Sequence, residues 1–177
     1  MDGLLSLDNL GPRICIMGPS NSGKSTLAEA ISRKTAMPAV HLDQLYHLPN
    51  TNWQPRDINE FLRLHAKAIG KDRWVMEGNY TRCITQRLER ATGFILLDLS
   101  TAASLMRYIK RCYSTNGRVG ALEGGQDKVN WGMIKHITLV TPANRKRYRK
   151  MYDQINLPKL LLINPMAVRE GYRQWRL

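Results

Sequence analysis

Gly18-Pro19-Ser20-Asn21-Ser22-Gly23-Lys24-Ser25 fills the pattern GxxxxGKS without a mismatch. On its N-terminal side stands Arg13-Ile14-Cys15-Ile16-Met17, a short apolar run rich in β-branched residues; on its C-terminal side Thr26-Leu27-Ala28-Glu29-Ala30-Ile31 carries helical apolar spacing. Strand, glycine loop and helix, in that order, form the setting in which such a loop cradles the phosphates of a nucleoside triphosphate. Gly18 and Gly23 can adopt backbone conformations that cost other residues steric energy, so successive N–H groups turn inward around an anion. The helix that opens near Gly23 adds the positive end of its dipole. Lys24 extends a flexible ammonium toward the β and γ phosphates, and the Ser25 hydroxyl suits Mg2+, which prefers hard oxygen donors. Thr26 supplies a second, weaker hydroxyl.

A chain of 177 residues is expected to form a single domain, large enough for a sheet covered by helices on both faces. The longest apolar runs, Phe94-Ile95-Leu96-Leu97 and Leu160-Leu161-Leu162-Ile163, have the length of strands and fall far short of a bilayer span. The leader at 1–11, MDGLLSLDNLG, lacks a basic start and a long apolar core, so it does not read as a secretory signal and a cytoplasmic location is expected. Cys15, Cys83 and Cys112 form no CxxC pair and read as buried or incidental thiols. The formal net charge of +13 invites a nucleic-acid reading without compelling one. Its densest cluster is Arg145-Lys146-Arg147-Tyr148-Arg149-Lys150, and smaller ones occur at Arg107, Lys110 and Arg111 and at Arg169, Arg173 and Arg176. Such cations can grip the phosphates of a nucleotide and its acceptor, bind a nucleic-acid backbone, or form a solvated helix face.

Along the chain, strand and helix signals alternate. After the first strand and helix come a strand at 38–42, a loop carrying Asp43, and a helix opening near Pro55 and Asp57. A third strand at 73–77 is broken by Gly78-Asn79, helical spacing follows at 81–90, a fourth strand leads through Leu97-Asp98, and 102–113 is helical. The glycine-spaced stretch 114–127 reads as a mobile loop. A long basic helix is expected at 129–155, interrupted near Pro142, then a last strand at 159–163 and a helix at 167–175. Alternation of this kind predicts a parallel α/β sheet with right-handed crossovers, whose ligands gather at the carboxyl ends of the strands. Asp43, Glu77 and Asp98 all fall at or near such ends. A carboxylate there can hold Mg2+ through its waters, orient and deprotonate an acceptor hydroxyl, cap a helix or form an ion pair. His41 and His47 admit a metal pair, an acceptor contact or plain loop positions.

GPSNSGKSTLA, then HLDQLYH with Trp53 downstream, then WVMEGNY, resemble the bacterial adenylate-kinase-related proteins often labelled DNA topology modulation proteins. More broadly the chain is similar to the nucleoside monophosphate kinase and shikimate kinase branch of P-loop proteins. That resemblance implies a three-layer sandwich with a five-stranded parallel sheet in the order 2-3-1-4-5, helices on both faces, a lid within 114–150, and ATP with Mg2+ as the cofactors. It further implies that Glu77 supports the metal beside Ser25, that Arg107 lies near the base, and that Arg111 meets phosphate. Arg145 or Arg149 would reach the transferred phosphoryl group, and the stretch from Asn164 through Pro165 and Ala167 to Val168 would be a loop wrapping the adenine. Asn79-Tyr80-Thr81-Arg82 departs from the acceptor-site run of adenylate kinases, which argues against AMP and leaves a smaller polar acceptor, or water, open.

Two classes of function follow. One is a Mg-dependent kinase that transfers the γ-phosphoryl group to a small molecule, with Lys24, Asp43, Glu77, Arg107, Arg111, Arg145 and Arg149 as its machinery. The other is a nucleotide-gated protein whose basic face contacts DNA or RNA.

Overall fold

A computed structural model describes residues 4–113 and 131–177. Five strands form one parallel sheet: β1 (Arg13–Met17), β2 (Ala39–His41), β3 (Trp74–Glu77), β4 (Gly93–Leu97) and β5 (Lys159–Leu162). Their spatial order is β2-β3-β1-β4-β5, as the resemblance implies. Strands buried on both faces read as continuous apolar runs, and all residues of β3 and β4 are buried.

The period of two along each strand sorts these residues between two cores. Ile14 and Ile16, Val75, and Ile95 and Leu97 face one side, where they meet Leu27, Ala28 and Ile31 of α2 (Lys24–Thr35) and Val168 and Trp175 of α9 (Pro165–Trp175). Cys15 and Met17, Trp74 and Met76, and Phe94 and Leu96 face the other side. There they join Ile69 of α4 (Ile58–Ile69) and Tyr148 of α8 (Thr141–Gln154), and α5 (Ile84–Arg90) contributes Leu88. Asp57 caps α4 by accepting from the backbone N–H groups of Asn59 and Glu60, an arrangement that contributes about 1 kcal/mol. The leader segment packs on its own domain: α1 (Leu7–Leu10) buries Leu10, and the Trp175 indole donates to the Leu5 carbonyl at 3.0 Å.

Register brings the functional ends of the strands to one rim. Glu77 pairs with both Ile16 and His41, while Leu97 pairs with Leu162, so His41, Glu77, the exit of β1 and the exit of β4 lie side by side.

Two local expectations need correction, for Asp43 and for 164–168, while the expected interruption of the basic helix near Pro142 is present. Asp43 belongs to a short helix, α3 (Leu42–Tyr46), rather than to a loop. The basic helix is divided: α7 (Trp131–Lys135) passes through a π-helical turn (His136–Val140) before α8 begins. Pro142 sits in the first turn of α8, where its missing N–H costs no intrahelical bond. The stretch 164–168 is not a loop wrapping outward but the opening of α9, because Asn164 caps it and Pro165 presets the first helical turn. The expected mobile loop at 114–127, and with it that part of the lid at 114–150, lies outside the described residues. Among the described residues, no helix is long and apolar enough to cross a membrane.

Candidate active site

The loop at 18–25 emerges directly from β1 and closes at the N-terminus of α2. Gly18 has φ +150°, and a Cβ there would fall 2.3 Å from the Leu97 carbonyl oxygen, so β4 approaches too closely for any side chain. Gly23, at φ +96°, precedes α2, and Asn21 also has positive φ at 61°. Turning at these points folds the loop on itself: the Ser22 N–H donates to the Pro19 carbonyl at 3.2 Å, and Lys24 Nζ donates to the same oxygen at 2.9 Å. Lys24 therefore lies across the mouth of its own loop, over the concavity that the backbone encloses.

Ser25 and Glu77 meet at the rim. Ser25 Oγ donates to Glu77 Oε1 at 3.0 Å, bringing a hydroxyl and a carboxylate from separate elements into contact. Glu77 is buried, and a buried carboxylate needs donors. His41 supplies another: its Nδ1 lies 2.9 Å from Glu77, and its Nε2 lies 2.9 Å from Glu29 on α2. Two carboxylate acceptors call for two ring N–H donors, which is the imidazolium form. Burial opposes that charge, but the hydrogen bonds to Glu77 and Glu29 outweigh it and raise the His41 pKa. Burial likewise opposes the Glu77 charge, yet His41, the Lys24 ammonium and the Ser25 hydroxyl hold its carboxyl below the ordinary range. An ionised carboxylate beside a serine hydroxyl is a hard oxygen pair of the kind that fits Mg2+. Among the described residues no cluster of three or more His, Cys, Asp or Glu residues forms a candidate metal cage.

Asp43 lies on the β2 side of the same rim. Tyr80 Oη donates to Asp43 Oδ1 at 2.8 Å, and burial, then the Asp43 charge, raise the Tyr80 pKa far above the physiological range. Tyr80 packs 4.9 Å from the ring centroid of Tyr46 and 5.3 Å from that of Phe61, so an aromatic group backs the carboxylate. His47 points elsewhere, donating through Nδ1 to the Asp43 carbonyl at 3.0 Å. With His41 held by two carboxylates, the two histidines do not form a metal pair.

The arginines separate into two groups. Arg107, on α6 (Thr101–Cys112), donates to the Ser22 carbonyl at 2.6 Å and lies against Gly23, so its guanidinium is placed over the phosphate loop. Arg145 and Arg149 both reach Asp98, at 2.7 and 3.0 Å. Pairs this exposed contribute roughly 0–1 kcal/mol each, so the guanidinium groups are held in place without being locked. The Arg111 side chain lies outside the described residues. At the start of α9, the Ala167 N–H donates to Asn164 Oδ1 at 2.8 Å, and that donor is engaged by the cap.

Three participants escape a linear reading. Asn79 spans Gly18, its Oδ1 accepting from the Gly18 N–H at 3.2 Å and its Nδ2 donating to the Gly18 carbonyl at 2.7 Å. Glu29 looks like an ordinary helix charge in sequence. Arg87 is fully buried, donates to the Gly78 carbonyl at 3.1 Å, and has no ion pair among the described residues. The available signal for Asn79 was its position two residues beyond a strand-end glutamate, where the ligand rim begins.

The chain matches no protein-family model and no curated protein. Solved structures do match. Shikimate kinase from Aquifex aeolicus vf5 is 17% identical with a TM-score of 0.54, over 93% of this chain and 96% of that one. Shikimate kinase from Bacteroides thetaiotaomicron is 18% identical with a TM-score of 0.56, over 94% and 99%. A gluconokinase from Sinorhizobium meliloti 1021 is 16% identical with a TM-score of 0.50, over 95% and 93%. At such identities the likeness carries the fold. Together with the strand order and the loop that follows β1, it establishes that this chain has the P-loop kinase fold.

Proposed function

We propose that the protein is an ATP- and Mg2+-dependent kinase that transfers the γ-phosphoryl group to a hydroxyl of a small molecule. The observation that carries this reading is the Ser25–Glu77 contact at the mouth of the loop, with Asp43, beyond the end of the neighbouring strand β2, hydrogen-bonded to Tyr80, beyond the end of β3. Within the fold, the motifs GPSNSGKSTLA, HLDQLYH and WVMEGNY favour the adenylate-kinase-related group. The loop N–H groups and Lys24 bind the β and γ phosphates, and Ser25 and Glu77 hold the metal directly or through its waters. Bound Mg2+ supplies charge neutralisation between the phosphate oxygens. Asp43 orients the acceptor hydroxyl and takes its proton at a carboxylate oxygen, while Tyr80 fixes the carboxylate. Arg107 covers the loop, and Arg111 with Arg145 and Arg149 completes the cations that meet the transferred group. Pro165 and Ala167 flank the adenine end.

The test is a thermal-shift panel with MgATP, MgGTP and hydroxylated small molecules, followed by turnover assays on those that raise the midpoint. A ligand at 100 times its Kd stabilises the native state by about 2.7 kcal/mol, so a bound nucleotide is readily seen. No shift with any nucleoside triphosphate would sink the reading. A nucleotide-gated nucleic-acid binder is a second reading, drawn from the exposed Lys146, Arg147 and Lys150 on α8. It requires an affinity for duplex DNA or RNA that falls steeply with salt.

A further inference from the structure

Four consecutive residues, the last of β3 and the three that follow it, are each tied to a different part of the molecule. Glu77 binds Ser25 and His41, the Gly78 carbonyl accepts from Arg87, Asn79 bonds Gly18, and Tyr80 donates to Asp43. Asn79 makes the connection to the phosphate loop. Its carboxamide offers an acceptor and a donor in one plane, and both engage the same backbone residue. The Gly18 N–H belongs to the peptide before that residue and the Gly18 carbonyl to the peptide after it. Holding both planes fixes φ and ψ of Gly18 together, at a φ of +150° where glycine has wide freedom. The next residue, Pro19, provides the carbonyl on which Ser22 and Lys24 close. The direction in which the chain leaves Gly18 therefore sets where that carbonyl, and with it the concavity of the loop, is found.

We propose that Asn79 is a positioning residue that clamps Gly18 and presets the phosphate loop for a nucleoside triphosphate. The inference rests on the nucleotide site of the kinase reading and is independent of the acceptor. Asn79 touches no phosphate itself; it acts through the backbone of Gly18. Gly78 and Tyr80, the residues on either side of Asn79, are held in turn by Arg87 and by Asp43, which keeps the clamp in place.

The test uses the full-length protein with Asn79→Ala and Asn79→Asp. Alanine removes both bonds; aspartate keeps an acceptor for the Gly18 N–H but faces the Gly18 carbonyl with a second acceptor. Without ligand, hydrogen exchange at the Gly18 amide should accelerate at least about tenfold in Asn79→Ala, because a hydrogen bond is lost, and less in Asn79→Asp. The Kd for MgATP and for inorganic tripolyphosphate should rise about tenfold or more in Asn79→Ala, and further in Asn79→Asp, where the carboxylate repels the Gly18 carbonyl and adds a negative charge beside the loop. A generally loosened fold would instead raise exchange throughout β1 and β3. Unchanged Gly18 exchange in Asn79→Ala overturns the clamp. Faster exchange with unchanged tripolyphosphate affinity overturns its role in the loop. Failure of the wild-type protein to bind tripolyphosphate or MgATP removes that role together with the nucleotide site, whereas nucleotide binding without any acceptor turnover leaves the clamp standing and counts only against the kinase reading.

Discussion

Around residues 18–25 the geometry of the rim comes from backbone: glycine dihedrals, a carbonyl that collects Ser22 and Lys24, and the start of a helix. Around Asp43 it comes from side chains delivered by separate elements. Tyr80 arrives from beyond β3, Tyr46 from α3, and Phe61 and His65 from α4. The histidines sharpen the contrast. His41, on the side of the loop, lies between two carboxylates that raise its pKa, whereas His65 is fully buried with neither ring nitrogen hydrogen-bonded. Burial, and then the Arg87 charge, lower the His65 pKa to about 4. A backbone site tolerates variation in its surroundings and fixes one ligand chemistry. A side-chain site can be rebuilt residue by residue.

The comparison is tested most severely at Lys24. If the protein is the kinase proposed above, Lys24→Ala should lower turnover by about a thousandfold, since it would remove a preorganised charge where phosphoryl charge develops, and should leave the unfolding midpoint near that of the wild type. Steady-state kinetics with saturating MgATP check this; full activity would remove Lys24 from the site. On the same proposal, Asp43→Asn should lower kcat by about a hundredfold while leaving the Kd for MgATP within about twofold, because the amide would occupy the same space without accepting the proton. A nucleotide affinity that falls together with kcat would merge the two regions.

The smallest expected effect is in stability. His65 stays neutral in the folded protein, while the unfolded chain takes up its proton near pH 6.5, so its contribution is fully present above pH 6.5 and is lost as the pH falls toward about 4. The full loss is on the order of 3 kcal/mol, of which most falls between pH 6.5 and about 4.5. His41 has the opposite sign: its raised pKa gives a contribution present below pH 6.5 and lost as the pH rises through its folded value. Urea unfolding between pH 4.5 and 8 should show the acid-side loss in the wild type and its reduction in His65→Leu. An unchanged acid limb in that variant would remove His65 as its source.

Much of this site was legible because it is local. The loop, the strand before it and the helix after it are fixed within a few residues of one another, and Asp57 announced the start of α4 through its own cap. Glu77 could be placed at the rim from the end of an apolar run. The position of Asp43 in a helix, and the helical start at Pro165, were misread because LDQLY and NPMAV are too short for periodicity to separate turn from helix.

The amino-acid sequence by itself determined that a phosphate-binding loop joins a strand to a helix, and that acidic residues end the strands beside it. Strand order came from resemblance and register from the fold. Tertiary structure decided which groups meet: Ser25 with Glu77, His41 with two carboxylates, Arg145 and Arg149 with one aspartate, and Asn79 with Gly18. The reason is physical. A loop's conformation depends on dihedrals that neighbouring residues set, whereas a contact such as Asn79 with Gly18 exists only after parallel strands far apart in the chain have paired in one register.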